Sequence, residues 1–231
     1  FVTEAIHTMN MATVYDLNNT NTTAQEYSLL GFFGRLNYSY KGRYLLQGSL
    51  RRDGSSRFGE KSRWGWFPSG SIGWRFSDEP FMQWSNNFLT DGKLRLSYGK
   101  TGNDKVGYYE AITRYTSGSY FYNGVGGVVP VTTYGNPSLH WEETAQFNVG
   151  LDLTLFNGRV STVVDYYVKN TSDLLSSMNL PYTTGYNTVR VNLASLQNKG
   201  WEFTFNAYPV RTRKFMWNTT LNWWKNDNKI T

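Results

Sequence analysis

Not one cysteine occurs among the 231 residues, which excludes disulfides, thiolate metal sites and thiol redox chemistry while leaving the compartment open. Histidine is nearly as scarce: His7 and His140 are separated by most of the chain, and neither has neighbours at a metal-ligating spacing. No stretch approaches the roughly 18 consecutive apolar residues of a membrane-spanning helix. A barrel strand needs no such run, because only every second position faces lipid. The opening Phe-Val-Thr-Glu-Ala-Ile-His carries neither a basic nor an apolar signal region, so no secretion signal is expected in this stretch. Gly-rich phosphate loops, nucleophile elbows and His-Glu-x-x-His pairs are missing as well, and no metal, cofactor or enzymatic activity is expected.

What the chain has in abundance is glycine, 22 residues, and aromatics, 17% of the total. Its most informative stretch runs from Ala145 to Val168. Ala145, Phe147, Val149, Leu151, Leu153 and Leu155 alternate with Thr144, Gln146, Asn148, Gly150, Asp152 and Thr154, the period of a long strand. Asn157-Gly158 then supplies a two-residue type I′ turn, which demands positive φ at both positions. With Phe156 opposite Arg159, Leu151 falls opposite Val164, Val149 opposite Tyr166 and Phe147 opposite Val168, so the apolar faces coincide. Gln146, Asn148 and Gly150 meet Lys169, Tyr167 and Asp165 on the other face. A slip of one residue would mix the faces, which fixes the register.

Other strands repeat the pattern. Phe32 to Tyr40 and Tyr44 to Leu50 keep their apolar faces together only across a three-residue loop, Lys41-Gly42-Arg43. Strands around Ile72, Leu96, Phe203 and Leu221 bring the number to eight, all antiparallel. Lys41–Arg43, Ser77–Gly92, Asn157-Gly158 and Pro209–Phe215 connect them at one end. Arg52–Trp66, Thr101–Glu143 and Asn170–Lys199 lie at the other and are mostly longer, as expected for short periplasmic turns and long outer loops. Phe81 and Trp84 fall in the one oversized turn and suit a membrane interface.

Period two does not say which face is wet. In a soluble sandwich the apolar face is the core; in an outer-membrane barrel it meets lipid. Strand length favours the barrel, since a tilted spanning strand takes about 9–11 residues against about 5–6 in soluble domains.

On the polar face, Arg35, Arg51, Arg95, Asp152, Asp165 and Lys169 form a lumen wall in which opposite charges satisfy one another. Asp152, Asp165 and Glu202 would also be the residues to suspect of glycosidase chemistry, but nothing singles out a proton donor. The formal net charge is +6, with a cluster at Arg51, Arg52, Arg57, Lys61 and Arg63 that reads as a solvated loop; no nucleic-acid partner is expected. Ligand-binding candidates are the loop tyrosines Tyr108, Tyr109, Tyr115, Tyr120, Tyr122 and Tyr134, whose rings stack on sugars and pack against peptides. The same rings could instead fill gaps between folded loops.

Several motifs in order, GRLNYSYKGRYLL from Gly34, RRDGSSRFG from Arg51, WGWFPSGSIGWRFSDEPFM from Trp64, KLRLSYGKTGN from Lys93, NPSLHWEETAQFNVGLDLTLFNGRV from Asn136, VDYYVKNTSDLL from Val164 and NKGWEFTF from Asn198, resemble the barrel of SusC/RagA-type TonB-dependent transporters of Bacteroidetes. The resemblance implies an all-β fold: an antiparallel meander of eight long strands, an internal fragment holding about a third of a 22-stranded transmembrane barrel. Residues 1–26 are then the remnant of an extracellular loop and 27–231 the partial barrel, with long loops at about 52–66, 101–143 and 170–199. It further implies an outer-membrane importer of glycans or peptides, partnered by a SusD-like lipoprotein and driven by the TonB complex through a part missing here. A passive porin and a soluble carbohydrate-binding or adhesive β-sandwich are the competing readings.

Overall fold

The computed structural model describes residues 24–122 and 125–231, without side chains for 117–126. Its strands are β1 (Leu29–Tyr40), β2 (Tyr44–Ser55), β3 (Trp64–Arg75), β4 (Leu89–Asn103), β5 (Tyr115–Tyr122), β6 (Val125–Pro130), β7 (Thr133–Tyr134), β8 (Glu142–Leu155), β9 (Val160–Asn179), β10 (Thr188–Arg211) and β11 (Met216–Ile230). The order in the main sheet is β1-β2-β3-β4-β8-β9-β10-β11. Every neighbouring pair along that path is antiparallel, giving one open, eight-stranded meander.

The registers follow the apolar patterning. Leu151 faces Val164, Val149 faces Tyr166, Gln146 faces Lys169 and Gly150 faces Asp165. Asn157 and Gly158 take φ of 52° and 80°, and Arg159 N–H donates to the Phe156 carbonyl at 3.2 Å, as a type I′ turn requires. Phe156 itself stands at φ 54°, a left-handed conformation that costs a bulky residue energy. Its N–H donates to the Phe88 carbonyl at 2.8 Å. At the first hairpin Tyr40 pairs with Tyr44 and Tyr38 with Leu46, across Lys41 and Gly42 at positive φ.

One face of the eight strands carries most of their apolar side chains, and these remain open. Leu36 is 71% exposed, Ile72 55%, Trp201 49% and Leu221 56%. Leu151, Leu153 and Val164 are half-buried by their neighbours in the sheet, and among the described residues no second layer covers them. Such a face is stable only against lipid or another apolar surface.

The buried core is small and sits at the long-loop end. Phe58, Phe67, Val106, Leu139 and Trp141 pack together with Leu175. Trp141 stands 5.4 Å from both Phe58 and Phe67, and its Nε1–H donates to the Arg63 carbonyl at 2.9 Å. Phe67 alternates with Trp66 and Pro68, so its ring lies on the polar side of the sheet. There it crosses two glycines: a Cβ at Gly65 or Gly102 would fall 2.5 or 2.1 Å from the Phe67 ring.

Three loop boundaries differ from expectation. Strand β2 continues to Ser55 and β3 begins at Trp64, which narrows the loop expected at 52–66 to 56–63. The stretch 101–143 is no plain loop, because it holds the hairpin β5–β6 and the short β7, which adds parallel to β10. The stretch 170–199 is nearly all strand, with β9 and β10 paired from Asn179 and Thr188 downward, leaving only 180–187 as connection. Alternation does not reveal that ribbon, because irregularities between Asn192 and Leu196 shift the faces and Asp173 turns to φ 58°. Of the expected loop remnant at 1–26, residues 1–23 lie outside the described residues.

Candidate functional site

Strand alternation gathers Arg35, Arg51, Arg95, Asp152, Asp165 and Lys169 on the face opposite the exposed apolar side chains. One line across the sheet runs Gly73, Arg95, Gly150, Asp165, Glu202. Arg95 clamps two carboxylates. Its Nε and Nη2 donate to Asp152 at 2.8 Å each, and Nη2 reaches on to Asp165 at 3.0 Å. The planar fork matches carboxylate geometry in a way that a lysine could not. Arg51 pairs with Asp53, and Lys100 meets Glu143 at 2.9 Å. Lys169 opposes Gln146 and Asn198 on the edge of a shallow concavity of 420 Å³ that also takes in Arg95, Asp165 and Glu202.

Gly150 makes the clamp possible. A Cβ there would sit 2.3 Å from Asp165 Oδ1 and 2.6 Å from Arg95 Nη2, so only glycine lets the guanidinium lie flat across β8. Gly150→Ala is expected to displace the Arg95 guanidinium and weaken its bonds to both Asp152 and Asp165. With these side chains 26–37% exposed, solvent screening holds the expected loss to about 1 kcal/mol. Denaturant unfolding in lipid vesicles should show it, and Asp165→Asn should add little on top.

A larger concavity of 630 Å³ lies on the same face toward the long-loop end, lined by Gln47, Ser49, Lys100, Asp104, Gln146 and Asn148 among others, under the ring of Trp141. It combines amide, hydroxyl and charged groups with one large aromatic surface, a lining suited to hydroxyl-rich or amide-rich solutes.

The loop tyrosines do not converge on one place. Tyr108 and Tyr109 stand with Tyr27, a residue absent from the loop-tyrosine candidates. Arg57 stacks between the rings of Tyr27 and Tyr108 at 4.4 and 4.8 Å. Asp104 accepts from Tyr27 Oη and Ser55 Oγ at 2.7 Å each. Burial, aided by the Asp104 bond, pushes the Tyr27 hydroxyl above its ordinary pKa. Tyr115 and Tyr134 belong to a second group around Tyr186: the Tyr134 and Tyr186 rings meet edge to face at 5.0 Å. Burial and the neighbouring Tyr115 raise the Tyr186 pKa. The side chains of Tyr120 and Tyr122 lie outside the described residues. The basic cluster read as a solvated loop is partly stacked, because Arg52 also covers Trp64 and Trp66 at 4.7 and 5.0 Å. The signal was present in the interleaving of Arg with Trp and Tyr, which favours cation–π packing. His140 Nε2 stands 3.6 Å from Asp173, tying the loop before β8 to the β9–β10 ribbon.

Residues 5–231 match the family model described as "TonB dependent receptor-like, beta-barrel". The chain belongs to that family. Among curated relatives, TonB-dependent receptor P39 of Formosa agariphila is 45% identical over 100% of this chain and 22% of its own length. TonB-dependent receptor SusC of Bacteroides thetaiotaomicron is 38% identical over 93% of this chain and 22% of its own. The chain therefore spans about a fifth of the length of these relatives. A solved structure of the RagAB peptide transporter superposes with a TM-score of 0.81 at 34% identity, over 89% of this chain and 22% of that one. As part of a TonB-dependent receptor barrel, the sheet belongs in the outer membrane. Family membership leaves no place for the soluble-sandwich reading, and the relatives are receptors and transporters, not enzymes.

Proposed function

We propose that this chain forms a wall segment of a TonB-dependent importer that takes up oligosaccharides or peptides, handed over by a SusD-like lipoprotein. The observation carrying this reading is the division of one eight-stranded sheet into a lipid face and a polar face. The polar face, anchored by Arg95, Asp152 and Asp165, opens below a loop rim rich in stacked tyrosines and arginines. In this reading the short turns face the periplasm and the long-loop end faces outward. Solute passes the concavity under Trp141, and the TonB complex acts through another part of the full-length protein.

What each group does is set by its chemistry. The Arg95 clamp offsets one of two carboxylate charges and holds both carboxylates in fixed bonds, so the wall presents organised donors and acceptors along which solute can move without being trapped. The rim offers ring faces at Tyr108, Tyr134 and Tyr186 for stacking, together with hydroxyl hydrogen bonds.

The test uses the full-length protein in cells. Deleting residues 115–130, the β5–β6 hairpin, should reduce solute uptake and recovery of the lipoprotein partner at least tenfold, while the barrel still assembles. Collapsing the proton-motive force should abolish uptake by the unaltered protein. Uptake that survives that collapse would point to a passive porin, and a deletion without effect would remove the hairpin from capture.

A further inference from the structure

The connection between β3 and β4 is far longer than a turn between adjacent strands requires. It forms two 3₁₀ turns, Phe76–Asp78 and Pro80–Ser85, and holds large rings in the open: Phe81 is 61% exposed, Trp84 70% and Phe88 40%. These rings are not on a loose loop. Glu79, buried at its centre, accepts from Tyr44 Oη at 2.6 Å, from Trp74 Nε1 at 3.2 Å and from Arg43 Nη1 at 3.3 Å. Those first two bonds hold its carboxyl below the ordinary range against the effect of burial. On the far side the Phe88 carbonyl and Thr90 Oγ1 accept from Phe156 N–H at 2.8 Å and Asn157 N–H at 2.9 Å. The segment is thus a fixed foot with its apolar side turned outward.

The foot continues the lipid side of the sheet. Trp74 lies on that face by alternation with Ile72, and its ring stands 6.4 Å from Phe81. At the same end lie exposed cations: Lys41 in the first turn, Arg159 after Gly158, and Arg211, Arg213 and Lys214 before β11. The carboxylates of this rim are already engaged, Glu79 with Arg43 and both Asp78 and Asp91 with Arg75. Among the described residues no carboxylate lies within salt-bridge reach of those cations, and Lys41 and Arg211 bend over Tyr40 and Tyr208 instead.

Exposed rings and unneutralised cations sharing one rim suit a bilayer edge, where aromatic side chains sit at the glycerol level beside the lipid phosphates. We propose that this rim binds the phosphodiester headgroups of anionic phospholipid: the Phe81–Trp84 foot seats in the glycerol layer, and Arg159, Arg213 and Lys214 hold the phosphates. The proposal rests on the membrane orientation given above, since phospholipid rather than lipopolysaccharide faces the periplasmic side.

The test is native mass spectrometry of the full-length protein released from nanodiscs of equal phosphatidylglycerol and phosphatidylcholine, with a lipid A arm. Phosphatidylglycerol should be retained preferentially. A triple Arg159→Gln, Arg213→Gln, Lys214→Gln variant should lower that retention at least tenfold at low salt and leave phosphatidylcholine unchanged. Trp84→Ala should weaken both phospholipids alike. Equal retention of the two by the unaltered protein, or a triple variant that keeps phosphatidylglycerol, overturns the proposal while the importer reading stands. Retention of lipid A in preference to phosphatidylglycerol assigns the rim to the outer leaflet and overturns it too. A protein that stays in solution without any lipid or detergent removes the membrane reading itself.

Discussion

Leu151→Arg should destabilise the assembled barrel by about 2–4 kcal/mol, the cost of a guanidinium on the lipid face near the bilayer centre. Asn148→Arg, three residues earlier on the same strand, should cost under about 1 kcal/mol, because its side chain joins Ser97, Gln146 and Tyr167 on the wetted face. Both substitutions introduce the same residue into β8, so the difference isolates the direction in which each face points. Refolding titrations in vesicles of the full-length protein measure it. Equal costs at the two positions would contradict the division of faces on which the lumen assignment stands.

Trp141→Ala should be the most damaging change at the long-loop end. The ring is 6% exposed, touches Phe58 and Phe67, and carries the bond that ties Arg63 to the loop before β8. Removing it opens a cavity among the few fully buried side chains and leaves the Arg63 carbonyl without that partner, a cost of about 3–5 kcal/mol. Because the strands keep their own ladders, the loss should appear as local loosening. Hydrogen exchange should accelerate at 56–63 and 136–141 while β8 and β9 stay protected. Trp141→Phe should recover most of the packing but not the bond.

How much of this could be read from the chain itself differs between its parts. The Ala145–Val168 hairpin and the Tyr40–Tyr44 turn were legible residue for residue, since an apolar face tolerates no slip and Asn-Gly allows one turn geometry. The same arithmetic placed Arg95, Asp152, Asp165 and Lys169 on one face, because side-chain direction in a strand depends only on parity. It did not show that Arg95 reaches two aspartates at once, which required knowing that Gly150 leaves the space between them. Nor did it show the upper β9–β10 ribbon, where irregular pairing near Ala194 and the turned Asp173 break the alternation. The rim was least legible. Tyr27 and Tyr108 are distant in sequence and meet only because Arg57 lies between them, and Tyr134 meets Tyr186 only because β7 docks beside β10. Such contacts depend on loop closure, which no local period encodes.

The β9–β10 ribbon sets a rule for how such a protein can vary. At about 3.3 Å per residue, the 24 residues of β10 extend nearly 80 Å, well beyond what a bilayer requires. Its tip carries Tyr186 at a height fixed by paired backbone rather than by side-chain packing. Shortening both arms by two residues lowers that tip by about 7 Å and returns every remaining side chain to its original side. Removing a single residue from each arm inverts them all. Insertions and deletions along this mast are therefore quantised: its reach can be tuned only in even steps, and an odd step survives only where a bulge absorbs it.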